Sequence, residues 1–199
     1  LWQEPQSIVI YHDIVDTGTK YGKIKADRIV RNKSFKLCQG ETAVVDFGQN
    51  MVGWVLFKAK ARSGTVVTLR HGEMLNENGD HDGRLEDGPG GSVWTYNLRQ
   101  ADAKVSYTFR GDAKGETYHP THTFMGFRYV SITATDDVEI VRLTGQVVGS
   151  DIAEWGEFSC SDASINQLYQ NIWWSQRGNF LSVPTDCPQR NERVGWTAD

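Results

Sequence analysis

Cysteine is scarce in this sequence. Cys38, Cys160 and Cys187 are the three present, so they cannot all pair, and their spacing matches neither a zinc site nor a redox pair. Free, packed thiols are the expected state, with Cys187 the one whose ionisation a neighbouring Asp186 would shift. No apolar run approaches the roughly 18 residues of a membrane-spanning helix, so no membrane partner is expected. Basic excess is also missing. Lys and Arg number 21 against 25 Asp and Glu, a net charge of −4, which leaves no positive stripe for nucleic acid. The chain opens on Leu1-Trp2-Gln3-Glu4, without a start methionine or a signal peptide, and stops inside a charged motif; it reads as a fragment. Its compartment stays open.

What is present is a folded composition. Hydrophobic residues make up 39%, including seven tryptophans, seven tyrosines and eight phenylalanines, which argues against disorder. Such an aromatic load suits carbohydrate binding and suits a β core equally.

From Phe35 to about Gln146 the hydrophobic period is two. Runs at 42–47, 53–60, 65–71, 105–109, 127–133 and 138–143 are rich in β-branched and aromatic residues, with turn-forming stretches such as Gly48-Gln-Asn50 between them. Many short strands without intervening helices predict a mainly β protein, an antiparallel sandwich of jelly-roll type. Residues 1–34 hold one short strand-like run, Ser7–Tyr11, and many basic residues; they read as a linker or the end of an upstream module. After Ser150 the period changes. Ile165, Leu168, Tyr169, Ile172 and Trp173 recur at three and four, predicting an amphipathic helix capped by Ser161 and closed by Gly178, with Trp174 off the stripe and covered by another element. The expected organisation is a sandwich over 35–150 followed by the opening helices of an all-α domain over 151–199.

Two constellations resemble metal sites. Asn78-Gly-Asp80-His-Asp82-Gly83 opens like a calcium loop, but its closing glutamate position is Pro89, so a mobile hairpin loop is the better reading. His119 and His122 flank Pro120 without a nearby acidic or cysteine partner, and with His71 they read as structural histidines.

The densest chemistry lies in the last eighteen residues, Ser182–Asp199. Three carboxylates, two arginines and a tryptophan gather behind Pro184, and Pro188 among them suits the first turn of a helix. On such a helix Glu192 and Asp199, seven apart, share one face at about 10 Å along the axis. Fixed charge at this density beside an aromatic surface is costly unless a ligand uses it. The alternative stays open: Asp186 as a helix cap, Glu192 and Arg193 as a solvated face, and Trp196 as core.

This stretch carries a resemblance. Asp186-Cys-Pro-Gln-Arg190, Glu192-Arg193, Gly195-Trp196-Thr197 and Asp199 are similar to the active-site motif of bacterial α-L-rhamnosidases, glycoside hydrolase family 78. The lead-in Asn179–Thr185, Asp46-Phe-Gly-Gln-Asn50 with Gly53-Trp54, and Phe124-Met-Gly-Phe-Arg-Tyr-Val130 also match, in the same order. Ala198, Met125 and Asn191 depart from the family's usual residues. The resemblance implies a helical (α/α)6 barrel after the sandwich, of which one or two helices fit here. It implies hydrolysis of terminal α-L-rhamnose with inversion, without a metal or other cofactor. Glu192 would be the general acid, Asp186, Asp199, Arg190 and Trp196 would bind the sugar, and the general base would lie on a part of the barrel beyond this chain. A rhamnose-containing glycoside or polysaccharide is thus the implied partner. The 199 residues alone would be inactive, and the apolar helix face of Ile165, Leu168, Ile172 and Trp173 would either drive self-association, as in a homo-oligomer, or be ordered against the sandwich. A reading of another class is a carbohydrate-binding or structural module, with Trp54 or Trp94 as the sugar platform.

Overall fold

The computed structural model describes residues 1–32, 34–80, 85–153, 156–190 and 195–196. Its strands are β1 (Trp2–Gln3), β2 (Ser7–Val15), β3 (Lys23–Val30), β4 (Phe35–Leu37), β5 (Thr42–Ala61), β6 (Val66–Gly72), β7 (Met74–Leu75) and β8 (Val93–Trp94). They continue as β9 (Lys104–Thr108), β10 (Glu116–Tyr118), β11 (Met125–Ala134) and β12 (Val138–Val147). Helix α1 (Ala163–Asn179) follows, and then the small hairpin of β13 (Phe180–Leu181) and β14 (Val183–Pro184).

The architecture is an antiparallel sandwich, and β5 belongs to both of its layers. Its first part, Thr42–Asp46, lies between β2 and β11, and β6 and β9 extend that layer beyond β11. Its second part, Gly53–Ala61, lies between β12 and β10. Two expected strands are therefore one. The Gly48-Gln-Asn50 stretch, expected as a turn, bends the strand without ending it, because Asp46 Oδ1 accepts the Gly48 N–H at 2.7 Å and the ladder to β11 resumes at Met51.

Residues 1–34 read as a linker or the end of an upstream module, but three strands within them are paired into the same sheet. β1 pairs with β12, β2 pairs with β5 and β3 pairs with β2. Ile8 and Ile10 are fully buried, so this segment contributes to the core. The strand period of two puts Val55, Phe57 and Ala59 of β5, Val67 and Leu69 of β6, and Phe127, Val130 and Ile132 of β11 inside. Bulges on β11 and β12 shift the alternation by one residue, which is why Phe127 and Val130 both point inward. Phe47 meets Phe127 edge to face, and Phe57 meets Tyr107 the same way.

The loops are tied down by buried carboxylates. Glu86 accepts the backbone N–H groups of Glu77, Asn78, Gly79 and Asp80. The described part of the segment that opens like a calcium loop thus turns its N–H groups onto an internal anion, a polarity unsuited to a cation; His81, Asp82 and Gly83 lie outside the described residues. Glu116 is held likewise by the N–H groups of Arg110, Gly111 and Asp112 and by the Tyr107 hydroxyl. Burial alone would raise its pKa, but these donors outweigh it and bring the carboxyl to about 2.

Helix α1 is capped by Asp162, not Ser161: its side chain accepts the Ser164 N–H at 2.8 Å. Gly178 does not close the helix, which runs one residue further; it is buried because a Cβ there would sit 2.8 Å from Val52 Cγ2. Trp174 packs on the core as expected, whereas Ile165, Leu168 and Ile172 point away, each about half exposed. Contact with the sandwich therefore orders the helix through the opposite side from its apolar stripe.

Candidate functional site

Three stretches far apart in sequence meet beside the end of α1. The first contact is between Asp46 and Arg128: Arg128 Nε donates to Asp46 Oδ1 at 2.8 Å and Nη2 donates to Oδ2 at 2.9 Å. The Asp46 hydrogen bonds raise the Arg128 guanidinium above its usual pKa, against a smaller opposing effect of burial. The second contact is at Gly126 on β11, where Gln189 N lies 2.9 Å from where a Cβ would stand and the Pro188 carbonyl carbon 3.1 Å away. Only glycine lets the turn carrying Pro188 and Gln189 come so close.

The turn itself is positioned by the β13–β14 hairpin. Ser182 sits at its tip with φ of 69°, and its N–H donates to Ser150 Oγ at 3.1 Å. Thr185 then ties back to the end of α1, donating its N–H to the Asn179 carbonyl at 2.8 Å. Asp186 follows directly and forms an ion pair with Arg190. Arg190 Nη2 also donates to Cys187 Sγ at 3.1 Å, and Cys187 Sγ lies 3.4 Å from Asp186 Oδ2. Burial chiefly, then the Asp186 hydrogen bond, pushes the Cys187 thiol up despite Arg190, so it stays protonated at neutral pH. The expected shift is therefore upward.

The helix expected to start at Pro188 is not formed over the described residues. Pro188 and Gln189 form a turn, and Gly195 and Trp196 are irregular. Trp196 N–H donates to the Pro184 carbonyl at 3.0 Å, which returns the chain to within two residues of Asp186. Its side chain is 45% exposed, so it is not a core residue. Asp186, Arg190 and Trp196 are thus gathered at one hairpin, while Glu192 and Asp199 lie outside the described residues.

Sequence reasoning missed the neighbourhood of this cluster. A cleft of about 400 Å³ runs from Arg190 and Gln189 along Phe124 and His122 to Asp102 and Lys104. Nothing in the local pattern of 100–104 or 122–124 announces it; the signal is the tertiary contact at Gly126. A separate cleft of about 390 Å³ lies between residues 150–153 and 156–158 and the outer side of α1, where Arg177 stacks over Trp173 at 5.3 Å. It contains none of the nominated side chains.

The tryptophans of the binding-module reading are already engaged. The Trp54 ring stacks on His119 at 5.6 Å and its N–H donates to Gln146 Oε1 at 2.7 Å, while the Trp94 N–H donates to the Leu85 carbonyl at 2.9 Å. His119 Nδ1 is bonded at the Pro120 carbonyl, 2.9 Å away. His71 is buried in the core and bonded through Nδ1 to the Ala103 carbonyl at 2.9 Å, but its Nε2 has no hydrogen-bond partner among the described residues, so the expectation of a satisfied ring is met there at one nitrogen only.

Comparison with known proteins identifies the family. The family described as bacterial alpha-L-rhamnosidase concanavalin-like domain matches residues 36–149, and the bacterial alpha-L-rhamnosidase 6 hairpin glycosidase domain matches residues 153–199. The chain is 45% identical over 157 residues to an alpha-L-rhamnosidase of Streptomyces avermitilis, covering 78% of this chain and 14% of that protein. The crystal structure of the Streptomyces avermitilis alpha-L-rhamnosidase complexed with L-rhamnose superposes with a TM-score of 0.65 at 42% identity, over 78% of this chain and 14% of that one. The alpha-L-rhamnosidase of Dictyoglumus thermophilum gives a TM-score of 0.67 at 38% identity, over 78% and 16%. The chain spans 14–20% of the length of the curated relatives it matches. On the sandwich, the hairpin motif and these likenesses together, the chain belongs to the bacterial α-L-rhamnosidase family.

Proposed function

We propose that this chain is the sandwich and the acid-bearing opening of the catalytic domain of an inverting glycoside hydrolase that removes terminal non-reducing α-L-rhamnose. The observation that carries this reading is the gathering of Asp186, Arg190 and half-exposed Trp196 beside the end of the β13–β14 hairpin. A sugar ring needs an apolar platform and charged hydrogen-bond partners around its hydroxyls, and this cluster supplies both. Among the described residues Cys187 and Arg190 both bond Asp186 at Oδ2, so Oδ1 is the oxygen offered to a hydroxyl. Asp199, from its place in the motif, is the second hydroxyl acceptor.

Glu192 takes the role of general acid. Glycosidic cleavage requires a proton on the departing oxygen, and a carboxylic acid can supply it only if it stays protonated near neutral pH. A second carboxylate, contributed from beyond this chain, would activate the attacking water on the opposite face of the ring.

The test is Glu192→Gln in the full-length protein. Hydrolysis of a rhamnosyl disaccharide is expected to fall about 10²- to 10⁴-fold, the range of general acid catalysis. Rhamnose affinity by calorimetry is expected to stay within a few-fold. Near-normal turnover by the variant rules Glu192 out as the acid.

A further inference from the structure

The cleft beside Arg190 is built largely from the sandwich. Its walls are the 100–104 loop and the 122–125 segment, and only its end, at Pro188 to Arg190, comes from the catalytic motif. We propose that this cleft receives the sugar on the leaving side of the scissile bond, so that the sandwich selects which rhamnoside is cleaved. This rests on the proposed function, because it places rhamnose against Asp186 and Arg190.

Four observations support it. Arg190 lines the cleft and pairs with Asp186, so a ring in the cleft is adjacent to a ring bound at Asp186. Its volume of about 400 Å³ falls in the range of small-ligand sites, about 300–1,000 Å³. Its lining mixes one accessible aromatic face, Phe124 at 39% exposure, with hydroxyl-binding groups of both signs, Asp102, Lys104 and His122. Asp102 and Lys104 are 3.4 Å apart and offset one another, a surface for a neutral polyol more than for an anion. Finally, two of the four non-glycine residues with positive φ among the described residues, Ala103 at 44° and His122 at 59°, stand on opposite walls of this cleft. Strained backbone of this kind persists where the surrounding structure fixes it and gathers at ligand sites.

The experiment compares two substrates on the full-length enzyme carrying Phe124→Ala or Asp102→Ala. One is α-L-rhamnosyl fluoride, whose leaving atom fills no cleft. The other is whichever of the (1→2)-, (1→4)- and (1→6)-linked rhamnosyl-glucose disaccharides the unaltered enzyme cleaves best. The expected result is a tenfold or larger loss of kcat/KM on the disaccharide, mainly through KM, with the fluoride within twofold. Equal effects on both substrates, or no effect on either, overturn the proposal. An unaltered enzyme that cleaves the fluoride but none of the disaccharides overturns it too, while one that cleaves neither overturns the rhamnosidase reading beneath it.

Discussion

Arg128 grips Asp46 through two parallel hydrogen bonds, joining strands β11 and β5 across 82 positions of sequence. The pair stands at the bend of β5, where Asp46 also accepts the Gly48 N–H. One carboxylate therefore fixes both the bend and the strand that leads to Gly126. Lysine can supply the charge but not the fork.

Arg128→Lys is expected to destabilise the sandwich by about 1 kcal/mol, a modest figure because the guanidinium is partly solvated. Arg128→Met, which leaves Asp46 with the Gly48 N–H alone, is expected to cost about 2 kcal/mol. Urea unfolding of the two variants checks the order; equal stability of the lysine variant and the parent would remove the geometric argument.

Gly126→Ala places a methyl 2.9 Å from Gln189 N. Relief requires the turn to move, since both near atoms are backbone. Stability is expected to fall by about 1–3 kcal/mol, as for other overpacked sites. In the full-length enzyme kcat/KM is expected to fall tenfold or more, because small displacements of positioned groups are costly. A variant that is destabilised yet fully active would show that the turn does not set the position of Asp186 and Arg190.

The pH dependence of stability has two windows. Burial holds His71 at about 4 against a reference of 6.5, with the Ala103 hydrogen bond acting the other way. As pH falls from 6.5 the unfolded chain binds a proton that the folded one refuses. Stability is therefore lost down to about pH 4, by on the order of 3 kcal/mol. Glu116 and Glu41, both near 2 in the folded state, add stability that is present above 4.5 and lost as pH falls toward 2. Glu41 owes its shift first to Arg28, then to the Cys38 N–H, against burial. Unfolding of His71→Leu at pH 7, 5 and 3 is expected to show no loss between pH 7 and 5 and an undiminished carboxylate loss between pH 5 and 3.

Thiol labelling separates Cys187 from Cys160. Cys160 is exposed, whereas Cys187 is half-buried with its thiol pushed up. At pH 7 iodoacetamide is expected to modify Cys160 about tenfold faster or more, since the thiolate is the reacting form. Mass spectrometry of partially labelled chain gives the order; comparable rates would contradict the burial of the Cys187 thiol against Asp186.

Much of the fold was legible because a period of two survives wherever one face is buried, as in Val55, Phe57 and Ala59. What local pattern could not show was pairing. The Gly48–Asn50 stretch looks like a turn, yet the strand continues through it because Asp46 and Arg128, distant in sequence, hold the bend. Ser7–Tyr11 looked isolated because its partner, Thr42–Asp46, lies some thirty-five residues on. Helix α1 was placed by its stripe, but a stripe does not name what covers it, and here Trp174 and Gly178 face the sandwich. Of the five site residues read from the sequence, Asp186 and Arg190 meet as a side-chain pair four residues apart, whereas Trp196 is returned to them by a backbone bond to Pro184 that no spacing encodes. The cleft between the sandwich and the motif is also a product of tertiary contact.

The sharing of β5 between the layers has a mechanical corollary. A sandwich of two separate sheets can shear along the plane between them, or let one sheet peel while the other persists. Here the same covalent strand is the central rung of both ladders, so sliding one layer means tearing hydrogen bonds in the other. Amide protons of Val44 and Phe57, one in each layer, should accordingly exchange with solvent at a common, global opening rate.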